Sequence, residues 1–375
     1  MRRYRLRTSL FSWTLVGALA CSGEGLPALM SFAQADGAST ANLLYQQGKQ
    51  LAAEGRLAEA EIPLQQAVLL APKNVSLLTL LGKVKARLGE DADAAALFKR
   101  VVEADPGSTE AHLNLAIALA DEKDLPAALK EATRAERLAP GNASAHLNRA
   151  RILSDLGHIS EAREEFATAG RLDPQSAEIS FLWASFELDS HHAAAATPLL
   201  RKVVSGQPNN SNAYFLLGKS LDLQERPQEA IAMWRHAVDV GADNQQAVYA
   251  LSQALRDTDP VASAQFLAQF KNLQSQAERV DKAKNLGNQA YAAMQVRDWT
   301  TAITALEKAL EICQSCALQA DLYQHLGLAE CHSGNLDGGE AHLRRALGLR
   351  PDDTTTVQAL NWIADQRKNS GSSSR

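Results

Sequence analysis

One short motif in this chain has the residue types for redox or metal chemistry: Cys313-Gln314-Ser315-Cys316. A Cys-x-x-Cys pair suits a dithiol redox centre, half of a zinc site, a haem tether or a small local disulfide. A thioredoxin-type centre needs the pair at a helix start after a strand, and no strand pattern precedes it. A haem tether needs His after the second Cys, where Ala317 stands. Zinc needs two more ligands, and the candidates are His325, Cys331 and His332. Cys331 falls about 16 Å along a helix that starts near Ala320, so gathering four ligands would require unwinding. The pair therefore reads as a local disulfide, with free thiols as the alternative. Closing so short a loop contributes at most about 2 kcal/mol before strain.

The remaining reactive residue types form no recognisable constellation. His112 and His146 stand 34 residues apart, a spacing that suggests a shared packing role. His191-His192 lies in a turn near Asp189 and reads as solvated rather than metal-binding. There is no HExxH, no glycine-rich phosphate loop and no G-x-S-x-G. The expectation is a non-enzymatic protein with no catalytic residue, metal or cofactor.

What must position these residues is a repeat. Pro72, Pro106, Pro140, Pro174 and Pro208 are spaced by 34 residues, each ending a similar phrase: AVLLAPKN, VVEADPGS, AERLAPGN, AGRLDPQS, KVVSGQPNN. Units then start at Ala41, Val75, Thr109, Ala143 and Ala177. A sixth starts at Ser211, with Ala242 in place of the proline, and a degenerate seventh at Gln245. Two more start at Ala283 and Ala320, the last ending at Pro351. Small residues recur in the first half of each unit (Gly48, Gly82, Ala116, Ala150, Ala184, Gly218, Gly327). They recur again in the second half (Ala60, Ala94, Ala128, Ala162, Ala196, Ala230, Ala302). Bulky Leu64, Phe98, Phe166, Leu200 and Trp234 follow four residues later. Gly55, Gly89, Gly157 and Gly334 mark turns between two helices, where a positive φ favours glycine.

This pattern resembles the tetratricopeptide repeat (TPR) family over about residues 41–353. The resemblance implies an all-α solenoid of helix-turn-helix units stacked as a right-handed superhelix, with about nine repeats. Units one to seven occupy 41–278 and units eight and nine 283–353. A bend or longer connection is expected near 272–282 and again at 313–319. TTTVQALNWIADQRK reads as a capping helix over 354–368, which a solenoid end requires, and 369–375 as a disordered tail.

In the family, the second, fifth, ninth, twelfth and thirteenth residues of each unit face a concave groove, and spacings of three and four keep them on one helical face. Here that face carries Asn42, Tyr45, Leu113, Leu147, Phe181, Phe215 and Tyr249, with Ile117 among the ninth-position residues. It also carries the cations Lys49, Lys83, Arg87, Arg151, Lys219 and Arg256, offset by Asp121, Asp155, Asp189 and Asp222. A groove for an extended peptide fits this pattern, with apolar side chains on the ladder and acidic groups on the Lys/Arg row. An ordinary solvated face is the alternative. The carboxylate clamp of chaperone-binding TPR proteins is not supported, because Tyr45/Lys49 and Leu113/Ile117 stand at its positions.

At 375 residues the chain carries net charge −5, with 5% aromatic residues. That leaves no general basic field or stacking surface for nucleic acid. The first residues, MRRYRLRTSLFSWTLVGALA, read as an export signal: Arg2, Arg3, Arg5 and Arg7, then an apolar run from Leu10 to Ala20. That run is too short for a permanent transmembrane helix. A signal over 1–35 would be cut after Ala33-Gln34-Ala35. A cut before Cys21 would instead leave a lipid-anchored cysteine, as Ala18-Leu19-Ala20 resembles a bacterial lipoprotein box.

The resemblance thus implies an exported bacterial scaffold or adaptor, periplasmic, secreted or an outer-membrane lipoprotein, binding extended segments of other proteins. The alternatives are an accessory subunit of polysaccharide export, pilus or glycosyltransferase machinery, and a self-assembling structural element.

Overall fold

The computed structural model of the chain describes residues 29–314 and 316–372. Residues 1–28 lie outside that range, and with them Cys21 and all of the expected signal before Leu29. The chain divides into two compact units between Ala230 and Ile231. Among the described residues there are helices and no strand. No helix there is long and apolar enough to cross a membrane.

The first unit is a row of antiparallel hairpins. Its helices are α1 (Leu29–Ala53), α2 (Leu57–Leu70), α3 (Val75–Leu88), α4 (Asp91–Ala104), α5 (Thr109–Asp121) and α6 (Leu125–Leu138). They continue with α7 (Ala143–Asp155), α8 (Ile159–Leu172), α9 (Ala177–Asp189), α10 (Ala193–Gly206) and α11 (Ser211–Asp222). Helix α12 (Pro227–Val240) carries the division between the units. In the second unit α13 (Gln245–Ala254) is followed by α14 (Pro260–Gln295), α15 (Trp299–Ile312), α16 (Gln319–Ser333), α17 (Leu336–Leu349) and α18 (Thr354–Ser372).

Local chemistry sets these boundaries. Two residues after each repeat proline stands a capping side chain: Asn74, Ser108, Asn142, Ser176 and Asn210. Each accepts a hydrogen bond from a backbone N–H in the first turn of the next helix, at 2.9 to 3.3 Å. Proline stops the preceding helix and the cap starts the next, which contributes about 1 kcal/mol per cap. Within each hairpin one turn residue adopts a left-handed conformation. Gly55, Gly89 and Gly157 do so at φ of 80 to 81°. Lys123, His191 and Glu225 occupy the same repeat position at φ of 58 to 74° without being glycine.

The core runs along the hairpin joints. Ala60, Ala94, Ala128, Ala162 and Ala196 have no exposed surface, and Leu64, Phe98, Phe166 and Leu200 are at most 2% exposed. A Cβ on Gly82 would lie 2.7 Å from the Phe98 ring, so the absence of a side chain is what lets α3 and α4 meet there.

Two expectations need correction. No bend interrupts residues 272–282, because α14 runs unbroken from Pro260 to Gln295. The stretch NLQSQAERVDK holds neither Gly nor Pro and is rich in good helix formers, so nothing terminates the helix. Helix α18 also continues past Lys368 to Ser372, into the stretch expected to be a tail.

Candidate functional site

In the first unit a cavity of about 330 Å³ is bordered by the fifth repeat position of α1, the second, fifth and ninth of α3 and the second of α5. Its walls include Tyr45 from α1, Ser76, Thr79 and Lys83 from α3, and Glu110 and Asn114 from α5. Lys83 Nζ donates to Glu110 Oε1 at 2.7 Å, tying neighbouring repeats across the opening. That hydrogen bond, and the ammonium charge behind it, hold the Glu110 carboxyl below the usual glutamate range. Partial burial opposes the shift, and the Asn114 amide assists slightly without a hydrogen bond of standard geometry. Asn114 Nδ2 is buried and has no acceptor. The cavity thus combines a neutralised ion pair, several hydroxyls and the Asn114 amide.

The anticipated groove residues separate by burial. Tyr45, Ile117, Phe181 and Phe215 are half-buried, with part of each side chain open to solvent. Leu113 and Leu147 are core residues instead, at 9% and 6% exposure. Leu113 packs with Ala135 and Ala145, and Leu147 with Phe166 and Ile179. The fifth position borders the joint to the next hairpin, so an aliphatic side chain there turns into the joint. The apolar ladder is therefore interrupted at α5 and α7.

Among the cations, Lys49, Arg87 and Arg151 are exposed, as is the neighbouring groove residue Asn42, and Lys219 is half-buried. Arg151 Nη1 reaches Asn148 Oδ1 at 3.5 Å. In the second unit, Tyr249 is 46% exposed and lies against Phe270 with ring centroids 5.0 Å apart. Arg256 there donates to Gln253 Oε1. Glu110, Ser76 and Asn114 were not among the anticipated residues. The signal for Glu110 and Ser76 was available, since both hold the second position of their repeats.

Several buried or half-buried charged groups of the first unit pair across its helix joints. His112 places Nδ1 2.6 Å from Glu131 Oε2 and Nε2 3.1 Å from the Pro106 carbonyl. His146 repeats this with Glu165 at 2.7 Å and the Pro140 carbonyl at 2.9 Å. Glu136, His146 and Glu165 have ligand atoms within 4.8 Å of one another, close enough in principle for a cation. Arg149 already lies against both carboxylates, with Nη1 3.0 Å from Glu136 and 2.5 Å from Glu165. One repeat earlier Val102 and Leu115 replace Glu136 and Arg149, while the histidine and its glutamate stay. The ion pair is thus one version of a joint contact that is apolar next door. A second joint position behaves alike. Lys85, buried, is held by Glu61 and Glu90, whereas at the fourth joint Arg163 Nε donates to buried Glu187 at 2.9 Å. Burial alone would lower the Lys85 pKa, but those two carboxylates outweigh it and raise it.

In the second unit Cys313 and Cys316 form a disulfide with Cα atoms 5.2 Å apart, in the connection between α15 and α16. It borders a cavity of about 270 Å³ with Gln276, Arg279 and Val280 of α14. The two thiols of the pair are thus joined to each other. His332 stacks on Trp299 at 4.8 Å. Cys331 is a buried free thiol whose pKa burial pushes up to about 11.

With this geometry in hand, the likeness to known proteins is specific in fold. Residues 45–109, 79–143 and 288–354 match one tetratricopeptide repeat family profile, and residues 119–182 match a second. No curated protein sequence matches the chain. Among solved structures it is similar to Pseudomonas aeruginosa pilF, with 15% identity and a TM-score of 0.47, covering 57% of this chain and 96% of that one. It is also similar to TTC0263, a TPR protein of Thermus thermophilus, with 22% identity and a TM-score of 0.43. That match covers 48% of this chain and 98% of the other. A third is YrrB, described as a TPR protein with an unusual peptide-binding site: 18% identity, TM-score 0.42, covering 48% and 93%.

Proposed function

Because the chain belongs to the tetratricopeptide repeat family, a fold of protein-interaction scaffolds, we propose that it is a non-enzymatic adaptor that binds an extended peptide segment along the exposed face of α1 to α11. The observation that carries this reading is the open cavity at Tyr45, Thr79 and Lys83. The half-buried rings of Phe181 and Phe215 on the same face of later repeats support it. An extended segment satisfies both kinds of group: its main chain meets the polar cavity and its apolar side chains cover the rings.

We also propose that the adaptor works outside the cytosol, in the bacterial envelope. The Arg2, Arg3, Arg5, Arg7 cluster followed by an apolar run supports this, as does a disulfide, which persists in oxidising compartments.

The test uses a random dodecapeptide library displayed on phage, panned on the full chain and on a Tyr45→Ala/Phe181→Ala/Phe215→Ala variant. Wild type is expected to enrich a defined set of peptides, and the variant to lose at least tenfold in affinity for them. Unchanged binding by the variant, or no enrichment by wild type, rejects the groove.

A further inference from the structure

We propose that the cavity between Tyr45, Lys83 and Asn114 takes an uncharged, hydrogen-bonding stretch of the bound peptide, a main-chain carbonyl or an amide side chain, and that Glu110 is the residue that excludes acidic side chains there. This rests on the groove reading above and changes its chemistry at one place. Taken alone, Lys83 belongs to a row of cations suited to acidic partners. In the folded chain its ammonium is 2.7 Å from the Glu110 carboxylate, and the two charges cancel at the mouth of the cavity. An incoming carboxylate would have to displace Glu110 from Lys83 or lie beside it as a like charge, and both are unfavourable. A peptide carbonyl faces neither obstacle.

The groups left to meet it are of the matching kind. The Asn114 amide stands in the cavity wall beside the Glu110 carboxylate. Tyr45, Ser76 and Thr79 add hydroxyls that both donate and accept. A neutral amide, with one acceptor and one or two donors, suits such a lining better than a carboxylate, which only accepts.

One repeat later Ile117 stands where Lys83 does and Ser144 where Glu110 does, so no ion pair can form there. Two repeats later Arg151 and Glu178 hold the two positions, but Arg151 Nη1 reaches Asn148 Oδ1 at 3.5 Å instead. The cancelled pair is thus a feature of the α3 and α5 joint.

A dodecapeptide selected by the wild-type chain provides the probe. Each of its positions is replaced in turn by Asp, and binding to the full chain is read by fluorescence anisotropy. On wild type, Asp at one or two adjacent positions is expected to weaken binding at least tenfold. On Glu110→Gln the penalty at those positions should shrink to threefold or less, because Lys83 is released. On Lys83→Gln it should grow, because Glu110 is left alone. If the Asp penalties are the same on wild type and Glu110→Gln, or if no position is sensitive to Asp, the proposal is overturned while the groove reading stands. If wild type selects no peptide, both fall together. Glu110 has an exposed side chain, and circular dichroism on each variant verifies that the hairpins are intact.

Discussion

Gly170 near the end of α8 faces the indole of Trp183 on α9, and a Cβ at Gly170 would stand 3.1 Å from the ring atom Cζ3. The tryptophan is held in place by its Nε1, which donates to Glu187 Oε1 at 3.0 Å. One repeat earlier the same two positions carry Glu136 and Arg149, and one before that Val102 and Leu115. Small against large, acid against base and aliphatic against aliphatic are three solutions to one packing problem.

The first prediction follows from that matching. Gly170→Val should destabilise the first unit by about 1–3 kcal/mol through overpacking. Trp183→Leu should also destabilise it, by leaving a void and removing the bond to Glu187. The double variant, which copies the Val102/Leu115 joint, should be more stable than the sum of the two predicts, by about 0.5–3 kcal/mol. Urea unfolding of the four proteins measures this coupling, and strict additivity would show that the joint is not a matched pair.

A second prediction concerns the hairpin turns. Lys123, His191, Glu225 and Arg297 hold φ values of 58 to 74° that side chains disfavour. The left-handed conformation costs about 1–2 kcal/mol for such residues, against about 0.5–1 kcal/mol of extra entropy that glycine loses on folding. Each substitution to glycine should therefore raise stability by about 0.5–1 kcal/mol in urea titrations. A loss at Lys123 or His191 would show that their side chains contribute more than the turn costs.

The third prediction is a thiol pattern. Reduction of Cys313–Cys316 should lower the stability of the second unit by no more than about 2 kcal/mol, since the loop it closes is short. The Cys331 thiol, with its pKa pushed up to about 11, should resist iodoacetamide at about pH 8 in the folded chain and react fully in urea. Mass spectrometry of the peptide containing Cys331 reads the difference.

The fourth is a pH dependence of the C-terminal helix. Glu340 accepts hydrogen bonds from Arg344 at 2.6 Å and from Arg367 of α18 at 2.5 Å, and both keep its pKa below the ordinary glutamate value of 4.5. A lowered carboxyl pKa stabilises the folded state above the unfolded value, and the contribution disappears as pH falls from there through the lowered value. Protection of the α18 amides against hydrogen exchange, corrected for the intrinsic rate at each pH, should therefore fall below pH 4.5 more than that of the other helices. Arg367→Gln should remove that extra loss.

The fold was legible in the sequence wherever a local signal punctuated it. Helices α3, α5, α7, α9, α11 and α13 begin on Val75, Thr109, Ala143, Ala177, Ser211 and Gln245. Proline and an Asn or Ser cap act within a few residues at most of these starts. The step from the seventh unit to the eighth exceeds the repeat period, and the structure takes up the excess inside the unbroken α14 rather than as a bend. A helix ends only where a residue ends it, and residues 272–282 contain none. The groove was legible in position and only partly in chemistry. Periodicity says which residues share a face. It does not say that Leu113 and Leu147 turn into a joint, or that Lys83 is neutralised by a residue 27 positions away, because both depend on how the next repeat packs.

The unbroken course of α14 has a mechanical consequence. Residues 271–279, apart from Leu273, are exposed, so few contacts brace the middle of this helix. A helix advances about 1.5 Å and turns about 100° per residue. The heading of the α14–α15 hairpin, viewed from α13, is therefore set by how many residues the rod contains, as a dial is set by its clicks. One residue inserted near Gln276 would swing that hairpin to another side of the rod. Seven inserted residues would restore nearly the original heading about 10 Å further along.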